Sequence, residues 1–261
     1  METYNNSLTS TCSIFTGMDV HKKTVALCIY SSITGVILDE REFPHDVPKI
    51  LKYLQKAQDR HGKLRSCYEA SSCGFGLHRA LEAQGMFGEV IAPSSIPSRS
   101  GDRVKTDRRD ARNLAMLYAA GLLPSVTVPD ENLEAVRSLV RCRTSLVDTR
   151  TRIKQQILAF LQLRGFQYPG KTSWTKTFLA WLDGLSFTEI DQSTMQTYLH
   201  QLSYLNQEVG RLENELAQVS EQDRYRMPPR VLMAFRGMGL VTSLTVVSEF
   251  GDIHRLPIHA K

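Results

Sequence analysis

The chain has 261 residues, 42% hydrophobic and 23% charged, a composition that supports a buried core and excludes disorder throughout. Lys and Arg outnumber Asp and Glu by 32 to 27, giving a formal net charge of +5, which admits polyanions as partners without requiring them. The five cysteines (Cys12, Cys28, Cys67, Cys73, Cys142) are odd in number and form no C-x-x-C pair, so a reducing cytoplasm is expected. The N-terminus lacks the pattern of a signal peptide, and the longest apolar runs, such as Val25 to Tyr30, are too short to span a bilayer, so no membrane association is expected.

Taken in chain order, Ser13 to Val20, Thr24 to Tyr30 and Gly35 to Phe43 read as three strands close enough to pair antiparallel. Pro48 to Gln58 carries Ile50, Leu51, Leu54 and Ala57 at helical spacing, with Pro near the start where a missing N–H costs little. A strand follows at Arg65 to Ala70. A helix then runs from Gly74 and Gly76 to about Gln84, and another strand spans Gly88 to Ala92. The order βββαβαβ followed by a helix predicts an α/β domain of the RNase H type over residues 1–125.

From Asp130 onward a seven-residue rhythm takes over. Leu139, Leu146, Ile153 and Phe160 form one row and Val140, Val147 and Leu161 a second, interrupted by Lys154. After a stretch containing Gly, Pro and aromatics from Gly165 to Asp191, the residues Met195, Leu199, Leu202, Leu205, Val209, Leu212, Leu216 and Val219 step by fours and threes. Residues 126–222 are therefore expected to be a helical coiled-coil region. Its seam either closes on itself as an intrachain hairpin or also engages a second chain, and the narrowness of the seam favours a homo-oligomer. Pro228 and Pro229 mark a further boundary, and two apolar helical patterns flank Gly237-Met238-Gly239, so residues 223–261 read as a third, all-α segment.

Four acids carry the chemistry. Asp19 ends the first apolar strand in GMDVHK and Glu69 closes the fourth in CYEAS, where an ionised carboxylate is costly without a compensating cation or hydrogen bonds. In an RNase H-like sheet strands one and four are neighbours, so these two acids would converge. Asp107 and Asp110 in KTDRRDARNLA stand at i, i+3, on one face at the start of a helix. Singly, Asp19 could cap a turn, Glu69 could pair with a basic residue and Asp107 could be an N-cap. Jointly they make an all-oxygen donor set suited to Mg²⁺ or Mn²⁺ at a phosphodiester. His21 follows Asp19 by two residues and is a candidate for supporting the site from behind the ligands.

GMDVHK, YEAS and KTDRRDA resemble the tetrad motifs of the DEDD insertion-sequence transposases (insertion-sequence family one hundred and ten), which include pilin-gene invertases. RTRIKQQILAFLQLRG and FRGMGLVTSLTVVSEFGDIHRL are similar to that family's central and C-terminal segments, so the resemblance covers nearly the whole chain. It implies a RuvC-like first domain, with Asp19, Glu69, Asp107 and Asp110 as both the catalytic and the metal-binding residues for DNA strand cleavage and exchange. It also implies element and target DNA as partners, a structured guide RNA, and a helix-hairpin-helix-like third segment.

Basic residues surround the proposed site: Arg99, Arg103, Lys105, Arg108, Arg109 and Arg112, with Lys22 beside Asp19. A second group comprises Arg137, Arg141, Arg143, Arg150, Arg152 and Lys154. Both are expected to contact nucleic-acid phosphates, which position a duplex without reading it. The resembling family also uses a serine nucleophile in a motif after the helix-hairpin-helix-like segment. The chain stops at LPIHAK, and Ser243 and Ser248 lie before that motif with no activating His or Lys, so neither is nominated. The sequence alone thus reads as a transposase truncated at its C-terminus and impaired in strand exchange. Its alternatives are a stand-alone RuvC-like nuclease for branched DNA and an inactive nucleic-acid-binding fragment.

Overall fold

Strand β1 (Ile14–Val20) is buried on both faces, as the central strand of a covered sheet must be. It pairs antiparallel with β2 (Thr24–Ser31), which pairs antiparallel with β3 (Val36–Pro44). On its other side it pairs in parallel with β4 (Leu64–Glu69), followed in parallel by β5 (Phe87–Ile91) and in antiparallel fashion by the two-residue β6 (Ser125–Val126). The six strands lie in the order β3-β2-β1-β4-β5-β6. The chain, a computed structural model, is described over residues 12–97 and 106–251, and it divides into two compact units at Val128/Pro129.

Helices cover both faces of the sheet. On one, α1 (Val47–His61) and α2 (Gly76–Ala83) bring Ile50, Leu54, Ala57, Leu77 and Leu81 onto Ile14, Met18, Val20, Val25, Leu27 and Ile29. Asp46 caps α1 by accepting from the Lys49 amide at 3.1 Å, and Pro48 sits in its first turn as expected. On the other face lies α3 (Asp107–Ala119), whose Ala111, Leu114, Ala115 and Tyr118 pack on Phe15, Ala26, Cys28, Cys67 and Ile91. The mixed α/β unit therefore has three layers, and the expected neighbouring of the first and fourth strands is present. β6 carries no strand pattern of its own; it forms because β5 offers an edge.

In the second unit, α4 (Glu131–Leu163) and α6 (Glu189–Ser220) run antiparallel. The C-terminal half of α4 (Ile153, Ile157, Phe160, Leu161) meets the N-terminal half of α6 (Met195, Leu202, Leu205). Leu133, Val136 and Val140 meet Leu216 at the opposite end. The seam is thus filled within one chain. α5 (Lys176–Asp183), which the sequence did not suggest, closes the first cluster with Phe178 and Leu182; Thr175 caps it through the Phe178 amide at 3.2 Å.

The prolines expected to break the chain lie inside α7 (Asp223–Met233), a correction to the sequence reading. Two lost backbone donors do not end this helix, in which Tyr225 is buried with its hydroxyl donating to Asn132 Oδ1 at 2.8 Å and Pro229 is itself buried. Tyr225 shares one core with Leu133, Val136, Val140 and Leu216, and with Leu244 and Val247 of α8 (Leu240–Phe250), so α7 and α8 pack on the helical hairpin. Among the described residues no helix is long and apolar enough to cross a membrane.

Candidate metal centre

Side-chain alternation along β1 sends Met18 and Val20 toward α1 and α2, and Phe15, Gly17 and Asp19 toward α3. The parallel register runs to Met18 opposite Tyr68, so Asp19 and Glu69 are the next residues on adjoining strands, at the edge of the same face. Gly17 decides how close α3 can come. A Cβ at this position would lie 2.2 Å from the Ala111 carbonyl oxygen and 2.4 Å from the Ala115 amide nitrogen, so only glycine lets the helix backbone rest on the strand. That contact sets the first turn of α3, with Asp107 and Asp110, beside Asp19. Thr106, not Asp107, caps the helix, its hydroxyl accepting from the Arg109 amide at 3.4 Å, which leaves the Asp107 carboxylate for other work.

His21 joins the two acids. Its Nε2 lies 3.1 Å from Asp19 Oδ2 and 3.7 Å from Asp107 Oδ1, and the ligand atoms of Asp19, His21 and Asp107 all fall within 4.8 Å of one another. Glu69, half-buried at its strand end, does not join that tight group, and Asp110 acts on Asp19 through charge. Burial pushes Asp19 above the ordinary carboxylate range; His21 pulls it back, and the charges of Asp107 and Asp110 push it further up. Two other acids facing α3 are neutralised by arginine. Glu89 takes Arg65 at 3.0 Å, and Glu40 takes Arg112 in a bidentate pair. Asp19 and Asp107 differ: among the described residues their one ion-pair partner is His21.

The basic candidates divide in the structure. Arg112 is committed to Glu40, Arg143 to Glu213, and Arg141 to Glu249 at 2.7 Å. Arg150 reaches Asn206 at 3.4 Å, and Lys154 is drawn to the Trp174 ring, 5.2 Å from its centroid, where burial lowers its pKa. Lys22, Arg108, Arg109 and Arg152 are exposed, whereas Arg99, Arg103 and Lys105 lie outside the described residues. Sequence reasoning underrated His21, for which the only signal was its D-x-H spacing. It had no means of finding the Arg112–Glu40 pair, 72 residues apart.

Residues 16–164, which hold the strand-end acids and the first turn of α3, match the model of the IS110 DEDD family, described as a transposase. The chain belongs to this transposase family. It is 36% identical over 92% of its length to y4qE of Sinorhizobium fredii, named as a transposase, and spans 59% of that protein. It is 31% identical, again over 92% of its length, to the transposase for insertion sequence element IS1533 of Leptospira borgpetersenii, of which it spans 70%. Among solved structures it is similar to T. thermophilus RuvC in complex with a Holliday junction substrate, at 9% identity and a TM-score of 0.33, over 44% of this chain and all of that one. It is also similar to the large terminase nuclease of thermophilic phage G20c, at 18% identity and a TM-score of 0.29, over 46% of this chain and 60% of that one.

Proposed function

We propose that the first unit of this transposase-family chain binds a divalent cation, Mg²⁺ or Mn²⁺, on Asp19, Glu69, Asp107 and Asp110, and cleaves DNA phosphodiesters during transposition of an insertion sequence. The observation that carries this reading is the opposition of Asp19 and Asp107 with no arginine between them, on a face where Glu40 and Glu89 each have one. Such a donor set fits a hard cation: its oxygens are anionic, and burial first, with the neighbouring charges of Asp107 and Asp110 after it, holds Asp19 above the ordinary carboxylate range, a cost that a bound cation would offset. When bound, the ion supplies positive charge at the phosphodiester and acidifies the attacking hydroxyl or water. Asp19 and Glu69 fix one side of the cradle from the sheet, and α3 presents Asp107 and Asp110 from the other. Exposed Lys22 and Arg108 are placed to hold the flanking phosphates in line.

Element and target DNA, and a structured guide RNA, are the partners in this reading. Exposed Arg108, Arg109 and Arg152 supply the sequence-independent contacts, in a homo-oligomer that holds two DNA ends together in the cytoplasm. A titration of melting temperature against Mg²⁺ and Mn²⁺ tests the centre. The wild type should gain stability with either ion, and Asp19→Asn and Glu69→Gln should not. An equal gain in all three proteins would remove the tetrad from consideration, and divalent-dependent nicking of branched DNA by the wild type alone would support the assigned reaction.

A further inference from the structure

The β1–β2 turn holds His21 from both sides. The His21 amide donates to the Thr24 carbonyl at 2.8 Å, and the His21 carbonyl accepts from His45 Nδ1 at 2.7 Å. The His45 amide in turn donates to the Lys23 carbonyl at 2.9 Å, which ties the start of the chain leading to α1 onto the same turn. A side chain 54% exposed would ordinarily be free to swing. Here the backbone beneath it is clamped, and its Nε2 rests between two carboxylate oxygens that belong to different elements of the fold, one from β1 and one from α3.

We infer that His21 contributes its Nε2 as a nitrogen ligand to the cation held by Asp19 and Asp107, and that this biases the centre toward Mn²⁺ over Mg²⁺. This rests on the carboxylate reading given above and adds a ligand to it. The chemical reason is donor type. Mg²⁺ takes oxygen ligands in tight octahedral geometry and keeps several waters, so an imidazole adds little to its binding, whereas Mn²⁺ and its transition-metal neighbours accept imidazole readily. The position also explains why a histidine rather than a lysine stands there. The neutral ring can turn a lone pair toward a cation lying between the two acids, while an ammonium could only take that cation's place. A role limited to orienting Asp19 by a hydrogen bond would not require Nε2 to approach Asp107 as well.

The test is pulsed electron paramagnetic resonance of Mn²⁺ bound to the full chain, with calorimetric titration of Mn²⁺ and of Mg²⁺, on wild type, His21→Ala and His21→Asn. We expect nitrogen coupling to Mn²⁺ in the wild type and none in either variant. We also expect a drop in Mn²⁺ affinity of about tenfold or more, against a change below about threefold for Mg²⁺. Circular dichroism of the variants checks that the exposed substitution leaves the fold intact. Bound Mn²⁺ with no nitrogen coupling in the wild type, or equal losses for the two ions, would overturn the ligand role of His21 while leaving the carboxylates in place. Failure of the wild type to bind either ion would take down the carboxylate reading and this inference together.

Discussion

Asp19 is a charge that a buried strand would not keep without a reason. Its carboxyl is held above the ordinary range by burial and by Asp107 and Asp110, so its ionised form costs the folded protein. The unfolded chain loses this proton at lower pH than the folded one does. Asp19 therefore subtracts stability as pH rises through the interval between the two values, and its full cost is present at neutral pH. Asp19→Asn should consequently melt higher than wild type in chelator at pH 7 and lose that advantage in acid; a variant that melts lower under chelation would contradict the crowding of charge. Asp19 and Glu69 were legible in sequence because an acid at the end of an apolar run is conspicuous. His21 was legible only as a neighbour of the site, because a strand continuing past Val20 and a turn after it place the ring differently, and only the Thr24 and His45 hydrogen bonds decide between them.

Gly17 shows what an element demands of one position. Gly17→Ala forces a methyl into the Ala111 carbonyl and the Ala115 amide, backbone atoms that no rotamer change can move aside. We expect a loss of about 1–3 kcal/mol in a urea unfolding experiment, with the metal-induced rise in melting temperature weakened as well, since α3 carries Asp107 and Asp110. In the helical unit, Asp130 pairs with Arg224 and caps α4 through the Leu133 amide at 2.9 Å; the Arg224 guanidinium first, and the Leu133 amide after it, pull its pKa down to about 2. That stabilisation is complete above the unfolded value and is lost as pH falls toward 2. Asp130→Ala should cost about 1 kcal/mol at pH 7, chiefly through the cap because the pair is exposed, and almost nothing at the acid limit. The fours and threes of α6 foretold its buried stripe, since Met195, Leu202, Leu205, Val209, Leu212 and Leu216 are all buried. Of the two covers the sequence left open, an intrachain hairpin and a second chain, the hairpin with α4 is present, and α5, α7 and α8, which spacing did not assign to the seam, complete it. Leu216→Ala, at a site with no exposure, should cost about 2–5 kcal/mol by the same urea measurement.

At the scale of the whole molecule the net charge of +5 says less than its distribution. Several arginines that looked available in sequence are spent on Glu40, Glu213 and Glu249, so under the proposed function fewer of them can face phosphates than a count of basic residues suggests. Nucleic-acid affinity should fall steeply with salt. Removing a proposed phosphate contact with Arg108→Ala should flatten the log–log slope by up to about 1, whereas Arg141→Ala should leave it nearly unchanged. Equal effects from both substitutions would show that the Arg141–Glu249 pair opens on binding.

The order of the first five strands and three helices in the first unit and the helical rhythm of the second were already determined by residue type and spacing, and the acids at the strand ends were conspicuous, because periodicity and a charge misplaced in an apolar run are local properties. Tertiary structure decided the rest. The approach of α3 to β1 depends on two backbones meeting at Gly17, and the selection of Asp19 and Asp107 over Glu40 and Glu89 depends on which acids arginines from elsewhere in the sequence reach. The retention of Pro228 and Pro229 within a helix accompanies the burial of Tyr225 and Pro229. Each is a contact between residues distant in sequence, and no local pattern encodes the partner.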